Sequence, residues 1–349
     1  MDLAAGAVAL ANLVRWTLAR TWLALLLAGG VIAAFAAYER AHPLPEHGSG
    51  LAIIDEQMRR SRALPDADVL VIGDSSSLYG VDPVAIADAL PGVRVESLAA
   101  IGPVRPPGYV KLLANAVERG ASPRLVLLLL NPFGLADRVD EHERREMYAV
   151  LAERWPQPSL REGAVRALNF HLLGGVLDEP LEGEHGRFYG NARELRRALR
   201  AGHGSLVNPA SREHAPASTS APPQQARNAQ PVQKASQAQP GVRFEMHEHG
   251  VRDLEQVAAQ LDALDRDRIL VGLMPAPAAA VGPATEESRV RMLRQVLELL
   301  RLSPEQAIEL PAALPTEEFV DPTHTSAAGR ARLSAILADI LRSRLARES

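Results

Sequence analysis

Cysteine is absent from the 349 residues, which removes disulfides, thiolate metal sites and cysteine nucleophiles from consideration. Aromatic residues make up only 4% of the chain, and no basic stripe interleaves with them. With a formal net charge of −4, that scarcity speaks against a nucleic-acid partner. There is no Walker loop, no dinucleotide-binding glycine fingerprint and no Gly-x-Ser-x-Gly. His247-Glu248-His249 is the one segment with the look of a metal pair, but a third ligand at recognised spacing is missing. No metal and no cofactor are expected. What is present, 47% hydrophobic and 23% charged residues, suffices for a substantial core in one large domain or two modest ones.

One segment departs from the average. Thr21 to Tyr38 carries no charge and approaches the roughly 20 residues that cross a hydrocarbon core as a helix. Arg15 and Arg20 precede it, and Trp22 and Tyr38 sit at its ends, where amphipathic rings favour the membrane interface. Ala34-Phe35-Ala36 also offers a small-x-small cleavage site, so a cleaved signal peptide competes with an uncleaved anchor. The anchor is preferred because the apolar run and the basic region before it are both long for a signal peptide. A buried soluble helix is the third reading. Residues 1–40 are thus expected to be a single-pass anchor in the cytoplasmic (inner) membrane. The arginines stay inside, which puts residues 41–349 outside the cytoplasm, in the periplasm.

Short apolar runs then alternate with helical patterns. Asp68 to Ile72, Val93 to Leu98, Arg124 to Leu130, Arg268 to Met274 and Gln306 to Leu310 are expected strands. Between and after them, helices are expected over Leu51 to Arg62, from Pro83 with Asp82 as its cap, over Pro107 to Arg119, Arg252 to Leu264 and Glu286 to Leu302, and from about Ser326 onward. Alternation of this kind predicts an α/β domain with a parallel sheet and helices on both faces. An insertion, residues 140–250, interrupts it after the third strand; its charged first part is expected to be helical in pieces. Residues 208–241, rich in Pro, Ala, Gln and Ser, cannot bury enough apolar surface to offset their ordering entropy and are expected to be a disordered loop.

Gly73-Asp74-Ser75 follows the first expected strand directly, at the open carboxyl edge where such sheets carry their sites. A serine hydroxyl is a weak nucleophile and needs a base within hydrogen-bond reach. Asp321-Pro322-Thr323-His324 is the only place where a histidine lies three residues after an aspartate, and it immediately precedes the last helix. An aspartate there can hold the imidazole through Nδ1 and leave Nε2 to take the serine proton. Taken singly, each motif is also an ordinary turn or helix-capping loop. Their joint placement on one edge of the sheet is what carries the argument.

VLVIGDSSS and FVDPTHTSAAG together resemble the serine block and the Asp-x-x-His block of the SGNH (GDSL-like) hydrolase superfamily. The chain further resembles the membrane-anchored branch that serves cell-envelope acylation, such as alginate O-acetylation proteins and the D-alanyl-lipoteichoic acid biosynthesis protein. That resemblance covers roughly residues 68–131 and 251–345. It implies a flavodoxin-like three-layer α/β/α fold with Ser75 as nucleophile and Asp321 and His324 completing a triad. It also implies an oxyanion hole from the Ser75 N–H, Gly102 after the second strand and Asn131 after the third. The family's asparagine stands in Gly-x-Asn, whereas Leu129 occupies the glycine position here, so Asn131 is open between oxyanion donor and turn residue before Pro132. Tyr79 and Arg105 lie near this site by position, with core packing and a surface charge as their simpler readings.

The resemblance implies a serine-dependent acyl-ester hydrolase or O-acyltransferase, with acetyl as the acyl group and a cell-envelope or exported polysaccharide as substrate. A membrane-bound O-acyltransferase partner is expected if the chain is a transferase. A non-catalytic envelope assembly protein that kept the fold is the alternative of another class. The topology makes a first prediction: reporter domains fused after Leu345 will be active when the reporter requires export. A fusion active only in the cytoplasm contradicts it.

Overall fold

A computed structural model describes residues 15–31, 33–34, 49–64, 66–136, 145, 151, 188–208, 243–262 and 264–347. The chain divides into two units, residues 1–45 with 155–179 and residues 46–154 with 180–349. In the first, residues 15–31 form a helix, α1, along which Trp16, Trp22, Leu26 and Leu27 are exposed. Among the described residues no helix is long and apolar enough to cross a membrane. The expected span from Thr21 runs beyond α1, and its last residues, 35–38, lie outside the described ones, as does the expected loop after Asn208.

The second unit is a mixed α/β structure around a parallel sheet. It begins with helix α2 (Ser49–Ala63) and strand β1 (Val69–Gly73), then α3 (Ser75–Gly80), α4 (Pro83–Ala89), β2 (Val95–Ser97), α5 (Arg105–Glu118), β3 (Leu125–Leu130) and α6 (Pro132–Ala136). After the insertion come α7 (Ala192–Ala201), α8 (Glu248–Leu261), β4 (Ile269–Leu273), β5 (Ala276–Pro277), α9 (Pro283–Leu300), β6 (Ala307–Ile308), β7 (Ala313–Leu314) and α10 (Ala327–Leu345). Five strands pair in parallel in the order β2-β1-β3-β4-β6, and β5 pairs with β7 separately.

The strand sequences explain this arrangement. VLVIG and LVLLLL are apolar throughout and every residue is buried, as strands covered on both faces must be. Side chains alternate between the faces. Val69, Val71, Leu127 and Leu129 pack with Ile86 of α4 and Leu333 of α10 in one cluster. Leu70, Ile72 and Leu128, pointing the other way, are equally buried. Helix α5 packs against β1 and α9 against β4. The chain runs outward from β1 to β2, then returns to β3 on the far side of β1. That reversal opens a crevice at the carboxyl ends of β1 and β3.

Boundaries shift from the expected ones for local reasons. Helix α8 starts at Glu248, four residues early, because His247 Nδ1 accepts the His249 N–H and caps it. The two histidines stack, with ring centroids 4.9 Å apart. Helix α9 starts at Pro283, where the Thr285 hydroxyl accepts the Gly282 N–H at 3.1 Å. The sixth strand shrinks to two residues. Within the insertion, residues 202–208 are tied to the sheet and to α3: Ser97 N–H donates to the His203 carbonyl at 2.8 Å, and Leu206 N–H to the Leu78 carbonyl at 3.0 Å.

Candidate active site

Ser75 is the first residue of α3, immediately after β1. Asp74 caps that helix: its Oδ1 accepts the Ser76 N–H at 2.9 Å and the Ser76 hydroxyl at 2.5 Å. Its other oxygen accepts the Asn131 N–H at 2.9 Å, so one carboxylate ties the loop after β1 to the loop after β3. Gly73 is required by close approach, since a Cβ there would lie 2.3 Å from the Leu129 carbonyl oxygen and 2.5 Å from Ser77 Oγ.

The second half of the site folds around Asp321. Its Oδ1 accepts the backbone N–H groups of Thr323 and His324, each at 2.8 Å, and the Thr323 hydroxyl at 2.9 Å. Val320 N–H donates to the His324 carbonyl at 2.9 Å and closes the loop. Ser326 then caps α10, accepting the Gly329 N–H at 3.4 Å. Asp321 Oδ2 remains for the imidazole, with His324 Nδ1 at 2.7 Å. With Nδ1–H donated to that carboxylate, Nε2 is the acceptor, and Ser75 Oγ lies 2.9 Å from it. Ser75, Asp321 and His324 are therefore brought together as a hydrogen-bonded chain from positions 249 residues apart. Burial pushes the Asp321 carboxyl up. The hydrogen bond and charge of His324 and the two backbone N–H groups outweigh that and bring it down to about 2.

Gly102, Asp74, Arg105 and Asn131 line one small cleft, together with Leu130 and Leu135; Asp74 is the residue that precedes Ser75. Gly102 opens a single 3₁₀ turn after β2, and a Cβ on it would meet open space. Asn131 is buried, and its Oδ1 accepts the Phe133 N–H at 2.9 Å. With Oδ1 so engaged, the amide keeps Nδ2 as its donor. The absent glycine before it has a physical reason: Leu129 belongs to β3 and fills the core against α4 and α10.

Three neighbours carry more than their sequence positions suggested. Tyr79 is buried on α3, as expected, and its ring also meets the His324 ring edge-on, centroids 5.3 Å apart at 89°. Arg105 is not a surface charge: it is 5% exposed and ion-paired to Asp253 at 2.7 Å. The burial of Pro106, Pro107, Gly108 and Tyr109 around it turns the start of α5 into the core, which a charged residue flanked by prolines does not announce. Asp74 acts as a strut, a role visible only once Asn131 stands opposite. Among the described residues no group of three or more His, Asp or Glu could hold a metal ion.

No known family model matches the chain, and no curated protein matches it.

The geometry makes a prediction for Asp321. An amide in its place donates where Asp321 accepts and mis-sets the imidazole tautomer. Asp321→Asn is therefore expected to keep the fold by circular dichroism and to lower ester turnover by on the order of 10⁴-fold. Because the folded carboxyl sits at about 2, below its ordinary 3.8, its stabilising effect is fully present above 3.8 and is lost as pH falls through about 2. Acid unfolding of the variant will lack that component. Equal activity, or identical acid-unfolding curves, would contradict the assignment.

Proposed function

We propose that the chain is an SGNH-type serine acyl-ester hydrolase or O-acyltransferase of flavodoxin-like three-layer fold. It works through an acyl-serine on Ser75. One observation carries the reading: Ser75 Oγ, His324 and Asp321 form an unbroken hydrogen-bonded series with the spacings a serine nucleophile requires, 2.9 and 2.7 Å.

The chemistry follows from that series. Ser75 Oγ attacks the ester carbonyl while its proton passes to His324 Nε2, and the imidazolium so formed is stabilised by Asp321 through Nδ1. Charge developing on the carbonyl oxygen is met by the Ser75 and Gly102 backbone N–H groups and by Asn131 Nδ2. His324 returns the proton to the departing alkoxide, which leaves the acyl group on Ser75. Water or a sugar hydroxyl then attacks the acyl carbonyl while giving its proton to His324. His324 returns that proton to Ser75 Oγ as the acyl bond to serine breaks, which leaves the acyl group on water in a hydrolase and on the glycan in a transferase.

The substrate and setting rest on the family resemblance. The acyl group is acetyl, and the glycan belongs to the envelope or is exported. The domain is held at the outer side of the cytoplasmic membrane by the N-terminal segment, beside a membrane-bound O-acyltransferase when it acts as a transferase. The exposed apolar side chains of α1 are consistent with a lipid-facing helix.

The triad acts as a unit if this is correct. Ser75→Ala and His324→Ala are each expected to lower turnover of an acetyl ester by on the order of 10⁶-fold, and the double variant to be scarcely slower than either. Full activity in a folded Ser75→Ala protein would overturn the mechanism and leave the non-catalytic assembly reading in its place.

A further inference from the structure

Arg105 opens α5 with φ at 61° and ψ at 165°, in the half of conformational space that residues bearing a Cβ rarely enter. Its side chain is buried. Nε donates to Asp253 Oδ2 on α8 at 2.7 Å, and Nη1 donates to the Gly134 carbonyl on α6 at 2.6 Å. Nη2 is buried with no hydrogen-bond partner among the described residues. Backbone strain and an unsatisfied buried donor both count against stability. Their coincidence at one residue lining the cleft points to a geometry being held in place.

What the guanidinium joins identifies that geometry. Gly102 lies three residues before Arg105, and its carbonyl accepts the Arg105 backbone N–H and, at 3.3 Å, the Tyr109 hydroxyl. Gly134 lies three residues after Asn131, in the helix whose first turn Asn131 closes through its carbonyl to the Leu135 N–H at 3.2 Å. One side chain thus ties the loop that carries Gly102 to the loop that carries Asn131, and Asp253 braces it from a third element.

We propose that the Arg105–Asp253 pair is a positioning device for the oxyanion hole, setting the Gly102 N–H against the Asn131 Nδ2. The inference rests on the acyl-serine reading above. Arg105 is not itself a substrate contact, because Nε and Nη1 are engaged and Nη2 is shut away from solvent. Its effect passes through the two donors. Oxyanion donors act as charge develops on the carbonyl oxygen, so their misplacement lowers kcat and leaves KM in place.

The test compares an aryl acetate with its thionoester counterpart, whose sulfur accepts hydrogen bonds poorly, on the full-length protein. Arg105→Met with Asp253→Leu removes the pair without leaving a buried charge unpaired. Asp253→Asn loosens the brace with almost no change of shape. In the double variant kcat for the oxygen ester is expected to fall on the order of 10²-fold at unchanged KM, while the thionoester slows far less. Asp253→Asn should move the ratio of the two rates in the same direction, and it decides the matter alone if circular dichroism shows the double variant unfolded. Proportional slowing of both esters would mean a merely structural role and would overturn the proposal. A raised KM with kcat intact would make Arg105 a substrate contact and overturn it too. A wild-type protein that turns over neither ester would instead defeat the acyl-serine reading on which it rests.

Discussion

At the carboxyl edge of the sheet, β1 and β3 approach so closely that Gly73 has no room for a side chain between Leu129 and Ser77. That approach lets Asp74 reach the Asn131 N–H across the two loops while its other oxygen caps α3. The cap in turn starts a helix at Ser75 itself, which presents the hydroxyl at the crevice and sets Tyr79 one turn later against the imidazole. A side chain at residue 73 would push β1 from β3 or α3 from the sheet, and either shift would separate Ser75 from His324. Misplacement of that kind by an ångström is enough to cost orders of magnitude in rate.

The site is assembled mostly from carboxylates that satisfy backbone N–H groups. Asp74 and Asp321 each accept at least two hydrogen bonds from the chain around them. Such charge-assisted bonds are stronger than neutral ones and hold loops that have little apolar surface of their own. Asp321 shows the consequence most clearly. The contacts that shape its loop also keep it ionised, and an ionised Asp321 is what fixes the tautomer of His324. Loop folding and imidazole orientation are one interaction. A guanidinium joins a second pair of elements, with Arg105 bridging Gly134 of α6 and Asp253 of α8.

Much of this was legible in the chain. Continuous apolar runs such as VLVIG and LVLLLL mark strands buried on both faces, and Asp82-Pro83 marks a helix start by fixed backbone preference. Gly-Asp-Ser and Asp-x-x-His were informative because each lies where an alternating α/β pattern turns back on itself. Harder to see were features that depend on distant partners. Arg105 looks like a surface charge until Asp253, 148 residues later, packs beside it. Tyr79 looks like core until the His324 ring arrives from the far end of the chain. Residues 202–206 look like the end of a charged insertion outside the sheet, yet Ser205 and Leu206 donate to the Leu78 carbonyl of α3. No periodicity or turn chemistry encodes such pairings, since they arise only from the order of strands in the sheet.

The account stands or falls on a covalent step at one hydroxyl. Mass spectrometry of the purified protein, quenched in acid during turnover of an aryl acetate, reads that step directly. The expected result is a single acetyl group on the peptide containing Ser75, absent from the same peptide of Ser75→Ala. Turnover with no acyl group on Ser75, or with the acyl group on another residue, would contradict the account.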